Sequence, residues 1–261
     1  MPKIRIRDIN LYYESAGQGP PLLFIHGLGM STRDWEAQTA FFSKDYRVIT
    51  FDLRGHGRSD KPPGPYTIAG FTSDTAGLIR SLDIAPAHVA GISLGGVIAF
   101  QLALSAPELL KTMTIINSGP AFLLQTARQK FEMGWRLFLI RVTGMRSVAE
   151  FLTRRLFPKK GQEALRRAVA ARWAQNDRQA YLHSFKALVG WNVGKLLGNI
   201  RCPTLVVAAD QDYTPVSYKQ HYVSKMVDAE LAVVADSRHA TPLDQPERFN
   251  RILADFLSKH P

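Results

Sequence analysis

Gly91-Ile92-Ser93-Leu94-Gly95-Gly96 is the stretch of this chain whose residue types and spacing could do chemistry. It joins the short apolar run Ala87-His88-Val89-Ala90 to an Ala-rich segment in which Val97, Ile98, Phe100, Leu102 and Leu104 follow a helical pattern that ends at Pro107. The context is strand, serine, helix. A serine held in so sharp a turn needs neighbours without side chains, and Gly91 and Gly95 supply them two residues away on either side. The first amides of the following helix then face the substrate, and the helix dipole favours an anion there. The bare pattern also fits a glycine-rich turn ahead of a packed helix.

A serine hydroxyl is a weak nucleophile near neutral pH. It needs a general base, usually histidine, and the histidine needs a carboxylate to fix its tautomer. Of the seven histidines, His26 and His56 lie in glycine-rich turns, His88 in a strand, His183 and His221 in expected helices, and His260 in the tail. His239 alone follows a late strand, Leu231 to Ala235, and precedes Pro242, which makes it the candidate base. The carboxylate should close the neighbouring strand. Asp210 and Asp212 both follow the run Leu205 to Ala208, and either could instead cap the next helix.

These residues must be positioned by the elements around them. From the start to about Ile116, strand-like runs (Arg5–Ile9, Leu11–Glu14, Leu22–Ile25, Val48–Phe51, Thr112–Ile116) alternate with helical patterns around Trp35–Phe42 and Phe71–Leu82. The alternation resumes at Thr204–Ala208 and ends with a helix over Glu247–Leu257. Such a rhythm implies a mostly parallel sheet covered on both faces, with ligands at the carboxyl ends of its strands. The stretch between reads as helices only, with Phe131, Trp135, Phe138, Leu139 and Val142 at helical spacing. Residues 1–120 and 200–261 are therefore expected to form one core domain and 121–199 an inserted helical cap. Aromatic side chains such as Phe122, Trp135, Trp173 and Trp191 are expected to pack that cap, the alternative being an acyl pocket.

Net charge is +11, and its distribution is informative. Residues 121–199 hold 15 of the 33 Lys and Arg but 4 of the 22 Asp and Glu, leaving 18 of each sign elsewhere. The whole excess lies in the cap, where it could attract an anionic or carrier-bound acyl group or simply be a solvated surface. One cysteine, Cys202, excludes internal disulfides and reads as a small buried residue. No run approaches the roughly 18 apolar residues of a membrane span, and the first residues lack the apolar core of a secretory signal, so a cytoplasmic protein is expected. The basic Arg54-Gly55-His56-Gly57-Arg58-Ser59 lacks the Lys-Ser or Lys-Thr pair of a phosphate loop and reads as a structural turn. No metal cluster or cofactor motif appears, and nucleic acid is not an expected partner.

The elbow around Ser93, the segment His26-Gly27-Leu28-Gly29, the run Asp52 to Asp60 and the late Ser237-Arg238-His239 together resemble the α/β-hydrolase superfamily. That resemblance implies an eight-stranded, mostly parallel sheet flanked by helices. It places the catalytic acid on Asp212, with Asp210 the runner-up, and the oxyanion hole on the Leu28 and Leu94 amides. It leaves His26 and Gly27 as supports of the first of these loops. A serine in the elbow sets the chain apart from the dehalogenases and epoxide hydrolases of the superfamily, which use Asp, and Ala240 replaces the Trp that commonly follows the histidine in carbon–carbon bond hydrolases. The chain is similar to small bacterial carboxylesterases and enol-lactonases, which implies cleavage of a small ester or lactone through an acyl-enzyme, with no cofactor. Hydrolysis of a thioester or carrier-linked ester docked on the basic cap, and ligand sensing with incidental turnover, remain open.

Overall fold

Alternating apolar residues let one strand serve two cores. In the third strand Leu23 and Ile25 face one side of the sheet and Leu22 and Phe24 the other, and all four are fully buried. The computed structural model describes residues 3–123 and 126–261, without the side chains of Arg128, Gln129, Glu132 and Arg136. Its strands are β1 (Lys3–Ile6), β2 (Ile9–Ala16), β3 (Pro21–Ile25), β4 (Arg47–Phe51), β5 (Ala87–Ile92), β6 (Leu110–Ile116), β7 (Thr204–Ala209) and β8 (Ala229–Val234). They form one eight-stranded sheet in the order β1-β2-β4-β3-β5-β6-β7-β8. β1 and β2 are antiparallel, as are β2 and β4, and every other neighbouring pair is parallel. The central strands are almost wholly buried, as strands covered on both faces must be.

The helices are α1 (Glu36–Phe42), α2 (Ile68–Ser81), α3 (Leu94–Ser105), α4 (Ala127–Leu156), α5 (Glu163–Trp173), α6 (Arg178–Leu188), α7 (Val216–Val223), α8 (Thr241–Asp244) and α9 (Pro246–Ser258). α2 and α3 cover the face bearing Leu23 and Ile25, while α1 and α9 cover the other through Trp35, Phe42, Phe249 and Leu253. α3 is apolar on nearly every side and buried along most of its length, which fixes the direction of its N-terminus beneath Ser93.

Between β6 and β7 the described elements are α4, α5, α6 and a 3-10 helix at Gly194–Asn199, plus one bridge, Ala121 with Asn192. Two sequence expectations differ here and at the N-terminus. The apolar spacing of α4 suggested a packed face, yet Phe131, Trp135, Phe138 and Val142 are all exposed; α4 breaks at Gly144 (φ 75°, ψ 171°), and Ile140 before the break and Met145 and Val148 after it pack against Tyr181 and Leu182 of α6. The run Arg5–Ile9 is not one strand: Ile6 pairs with Ile9 and Arg7 adopts a φ of 53°, so the chain reverses in a tight hairpin.

Candidate active site

Ser93 sits between the last residue of β5 and the first of α3, with φ 53° and ψ −113°. That strained conformation is held from both sides. The Ser93 amide donates to the Ile116 carbonyl (3.0 Å), and the Ser93 carbonyl accepts from Ser118 Oγ (2.7 Å) and the Val97 amide (3.1 Å). The flanking glycines are sterically required. A Cβ on Gly91 would lie 2.3 Å from the Gly95 carbonyl oxygen, and one on Gly95 2.1 Å from that of Ile25. Ser93 itself stays half-buried and faces the carboxyl edge of the sheet.

The loop after β3 lies against the elbow: a Cβ on Gly27 would be 3.4 Å from Ser93 Cβ. Met30 N–H donates to the Gly27 carbonyl (3.1 Å), closing a turn that Gly29 completes at φ 78°. Among the described residues the Leu28 and Leu94 amides have no acceptor, Leu94 because it opens a helix. His26 is wholly buried and holds the loop to its neighbour, accepting from the Leu53 amide at Nε2 (3.0 Å) and so donating from Nδ1 to the Gly27 carbonyl (2.7 Å). Burial pushes His26 down to about 4, and burial with its neighbour His26 pushes His56 down to about 3. The basic run Arg54–Ser59 spends its groups internally. Asp52 accepts from the Thr32 and Arg58 amides, Arg54 pairs with Asp74, and Ser59 Oγ bridges Asp52 and Tyr12, so this segment is the structural turn expected of it.

Asp212 and His239 meet at the adjoining strand ends. His239 Nδ1 is 2.6 Å from Asp212 Oδ1, with Asp212 almost fully buried and His239 partly exposed. Burial pushes the Asp212 carboxyl up, but His239 and Lys219 more than reverse this and hold it at about 2. Asp210 is bonded elsewhere. Its carboxylate accepts from the Asp236 (3.0 Å) and Ser237 (3.1 Å) amides and clamps the turn ahead of His239. Among the described residues Ser93 Oγ makes no hydrogen bond to His239. Both are instead tied to one dipeptide after β6. Ser118 holds the Ser93 carbonyl, while Asn117 Nδ2 donates to the His239 carbonyl (2.9 Å) and Thr241 Oγ1 (2.7 Å), and its Oδ1 accepts from the Ala209 amide (2.7 Å).

Asn117, Ser118, Lys219 and Tyr213 escaped the sequence reading. The Tyr213 ring lies against the His239 ring, tilted by 35°, with centroids 4.4 Å apart. Asn117 had one legible signal, its place directly after a buried strand, where Asn readily takes a positive φ, here 45°. Of the four aromatics expected to pack the helical segment, Trp173 is buried and Phe122 and Trp191 pack against the main core, but Trp135 is half-exposed. Trp173 and Arg172 also reach the β3 loop: both bond the buried Asp34 carboxylate (3.4 and 2.8 Å), and Asn176 Nδ2 donates to the Gly29 carbonyl (2.8 Å). Cys202 is partly buried, and burial pushes its thiol up to about 11.

A serine on a strained strand-to-helix turn, with a carboxylate–histidine pair on later strands of the same parallel sheet, defines the α/β-hydrolase class. Residues 22–252 match the Alpha/beta hydrolase family, and the chain belongs to it. It is 31% identical to 3-oxoadipate enol-lactonase 2 of Acinetobacter baylyi over 97% of this chain and 95% of that one. It is 30% identical to the putative carbamate hydrolase RutD of Azorhizobium caulinodans over 99% of both. Its backbone also matches the crystal structure of the enol-lactonase from Burkholderia xenovorans LB400, with a TM-score of 0.90 at 24% identity over 98% of this chain and all of that one, a likeness of fold.

Proposed function

We propose that this protein is a carboxylic ester hydrolase that cleaves a small ester or lactone through an acyl-enzyme formed on Ser93. The observation that carries the reading is the 2.6 Å contact of His239 Nδ1 with the buried Asp212, at the sheet edge where Ser93 is presented. Asp212 fixes the tautomer that leaves His239 Nε2 free to take the Ser93 proton as Oγ attacks the carbonyl carbon. The Leu28 and Leu94 amides hold the tetrahedral oxyanion. His239 then returns the proton to the leaving alcohol, and water repeats the cycle on the acyl-enzyme. Serine and histidine commonly draw into line only once substrate is bound. The enol-lactonase and hydrolase relatives are consistent with this chemistry.

Helices α4 to α6 serve as the cap of this site, Arg172 of α5 binding Asp34 and Asn176, just after α5, binding the Gly29 carbonyl of the loop that carries Leu28. The test is hydrolysis of p-nitrophenyl esters from acetate to dodecanoate by wild type and Ser93→Ala. Multiple turnovers that vanish in a folded Ser93→Ala protein are expected. A single stoichiometric burst from wild type would assign the site to ligand sensing instead.

A further inference from the structure

Lysine is seldom fully buried, because its ammonium loses its hydration and needs a paired charge and three acceptors in return. Lys219, on α7, is fully buried, and its Nζ finds all three acceptors at the site: Asp212 Oδ2 (2.5 Å), Thr214 Oγ1 (2.6 Å) and the Thr214 carbonyl (2.6 Å). Thr214 Oγ1 in turn donates to Asp212 Oδ2 (3.2 Å). The Asp212 carboxylate is thereby divided, one oxygen to His239 and the other to Lys219.

Resting on the reading of Asp212 and His239 as the catalytic pair, we propose that Lys219 is a positioning residue which fixes the Asp212 carboxylate and cancels its charge, extending activity into acid. An aspartate beside a neutral histidine leaves a net negative charge that invites a proton onto the imidazole. With Lys219 in place the cluster is already neutral, so the imidazole gains a proton less readily and remains a base at lower pH. Among the described residues Lys219 is the one cation bonded to Asp212 besides His239 itself. The Tyr213 ring lies against His239, and burial raises the Tyr222 phenol well above its ordinary value. Beside His239, the Asp244 carboxylate accepts from the Arg238 amide and from Gln162, and Lys159 lies against Asp236.

A unit charge on the order of 6 Å away, at an effective dielectric of about 20 to 40, moves a proton equilibrium by about one to two pH units. The experiment is the pH dependence of kcat/KM for wild type, Lys219→Gln and Lys219→Arg, with the His239 ring titrated by proton NMR in the same proteins. Lys219→Gln keeps a donor without the charge, and its acid limb and NMR midpoint are expected to rise by about one unit or more. Lys219→Arg keeps the charge and is expected to titrate with wild type. Activity that falls at every pH while the midpoint of Lys219→Gln stays at the wild-type value would reduce Lys219 to a structural tie and overturn the proposal. Lys219→Met, which fills a similar volume with neither charge nor donor, is the second neutral variant, and a midpoint unchanged from wild type in it would equally overturn the proposal. The NMR reading does not depend on turnover. Failure of the esterase reading therefore shows in Ser93→Ala, and failure of this one in the titration.

Discussion

Two aspartates two positions apart divide the work at the end of β7. Asp212 faces the histidine from a buried position, whereas Asp210 is bonded to the amides of the following turn. Asp212→Asn removes the charge that holds the correct tautomer and is expected to lower kcat by about 10³-fold or more. Asp210→Asn keeps an acceptor and is expected to cost less than about tenfold, with most of the loss in stability. Steady-state kinetics on one ester compares them directly. The buried histidines give a pH prediction. His26 and His56 stay neutral in the fold down to about 4 and 3, while in the unfolded chain each takes up a proton near 6.5. The unfolded state therefore binds more protons below about pH 6.5, and stability falls as pH drops through that window. At pH 5 the loss is about 2 kcal/mol for each ring, to be read as a lower urea midpoint than at pH 8.

At the scale of elements, the loop after β3 is tied to two neighbours, to the β4 end through His26 and to the C-terminal end of α5 and the residues after it through Arg172 and Asn176. In the Arg172–Asp34 pair the carboxylate is fully buried and the arginine partly exposed, and burial pushes the Asp34 carboxyl up against the pull of Arg172. Arg172→Ala leaves that carboxyl without its counter-charge at a cost of about 3 kcal/mol, which lowers Tm by roughly 6 to 12 °C in a chain of this size. If α5 steadies the loop, KM rises as well. Unchanged kinetics beside the lowered Tm would confine α5 to a packing role.

Over the whole molecule, the excess positive charge belongs to the segment between β6 and β7. Some of it is consumed internally, Arg172 on Asp34 and Lys159 on Asp236, but Arg141, Arg154, Lys160 and Arg167 are exposed. Reversing these four to Glu is expected to leave kcat/KM for a small neutral ester within about twofold. KM for an anionic ester should rise several-fold at low ionic strength, with the difference fading at about 0.5 M salt. Equal losses on both esters would end the docking idea. No helix among the described residues is long and apolar enough to cross a membrane.

The sequence by itself determined the mostly parallel sheet and the glycine-flanked turn at Ser93, because both depend on local periodicity or on steric needs that glycine advertises. Leu22 to Ile25 and Thr204 to Ala208 read as buried strands since their apolar runs admit no solvent-facing alternative, and Ser93 was legible from Gly91 and Gly95. What needed the tertiary structure was partnership. Asp210 and Asp212 are indistinguishable by spacing, and only the packing of the β7 and β8 loops turns one toward His239 and the other toward the amides of 236 and 237. The exposed stripe of α4 and the buried Lys219 went against the usual burial of their residue types. Which face of a helix is covered, and which charge finds a counter-charge, is set by residues far away in the chain, Tyr181 and Leu182 for α4 and the loop at Asp212 for Lys219.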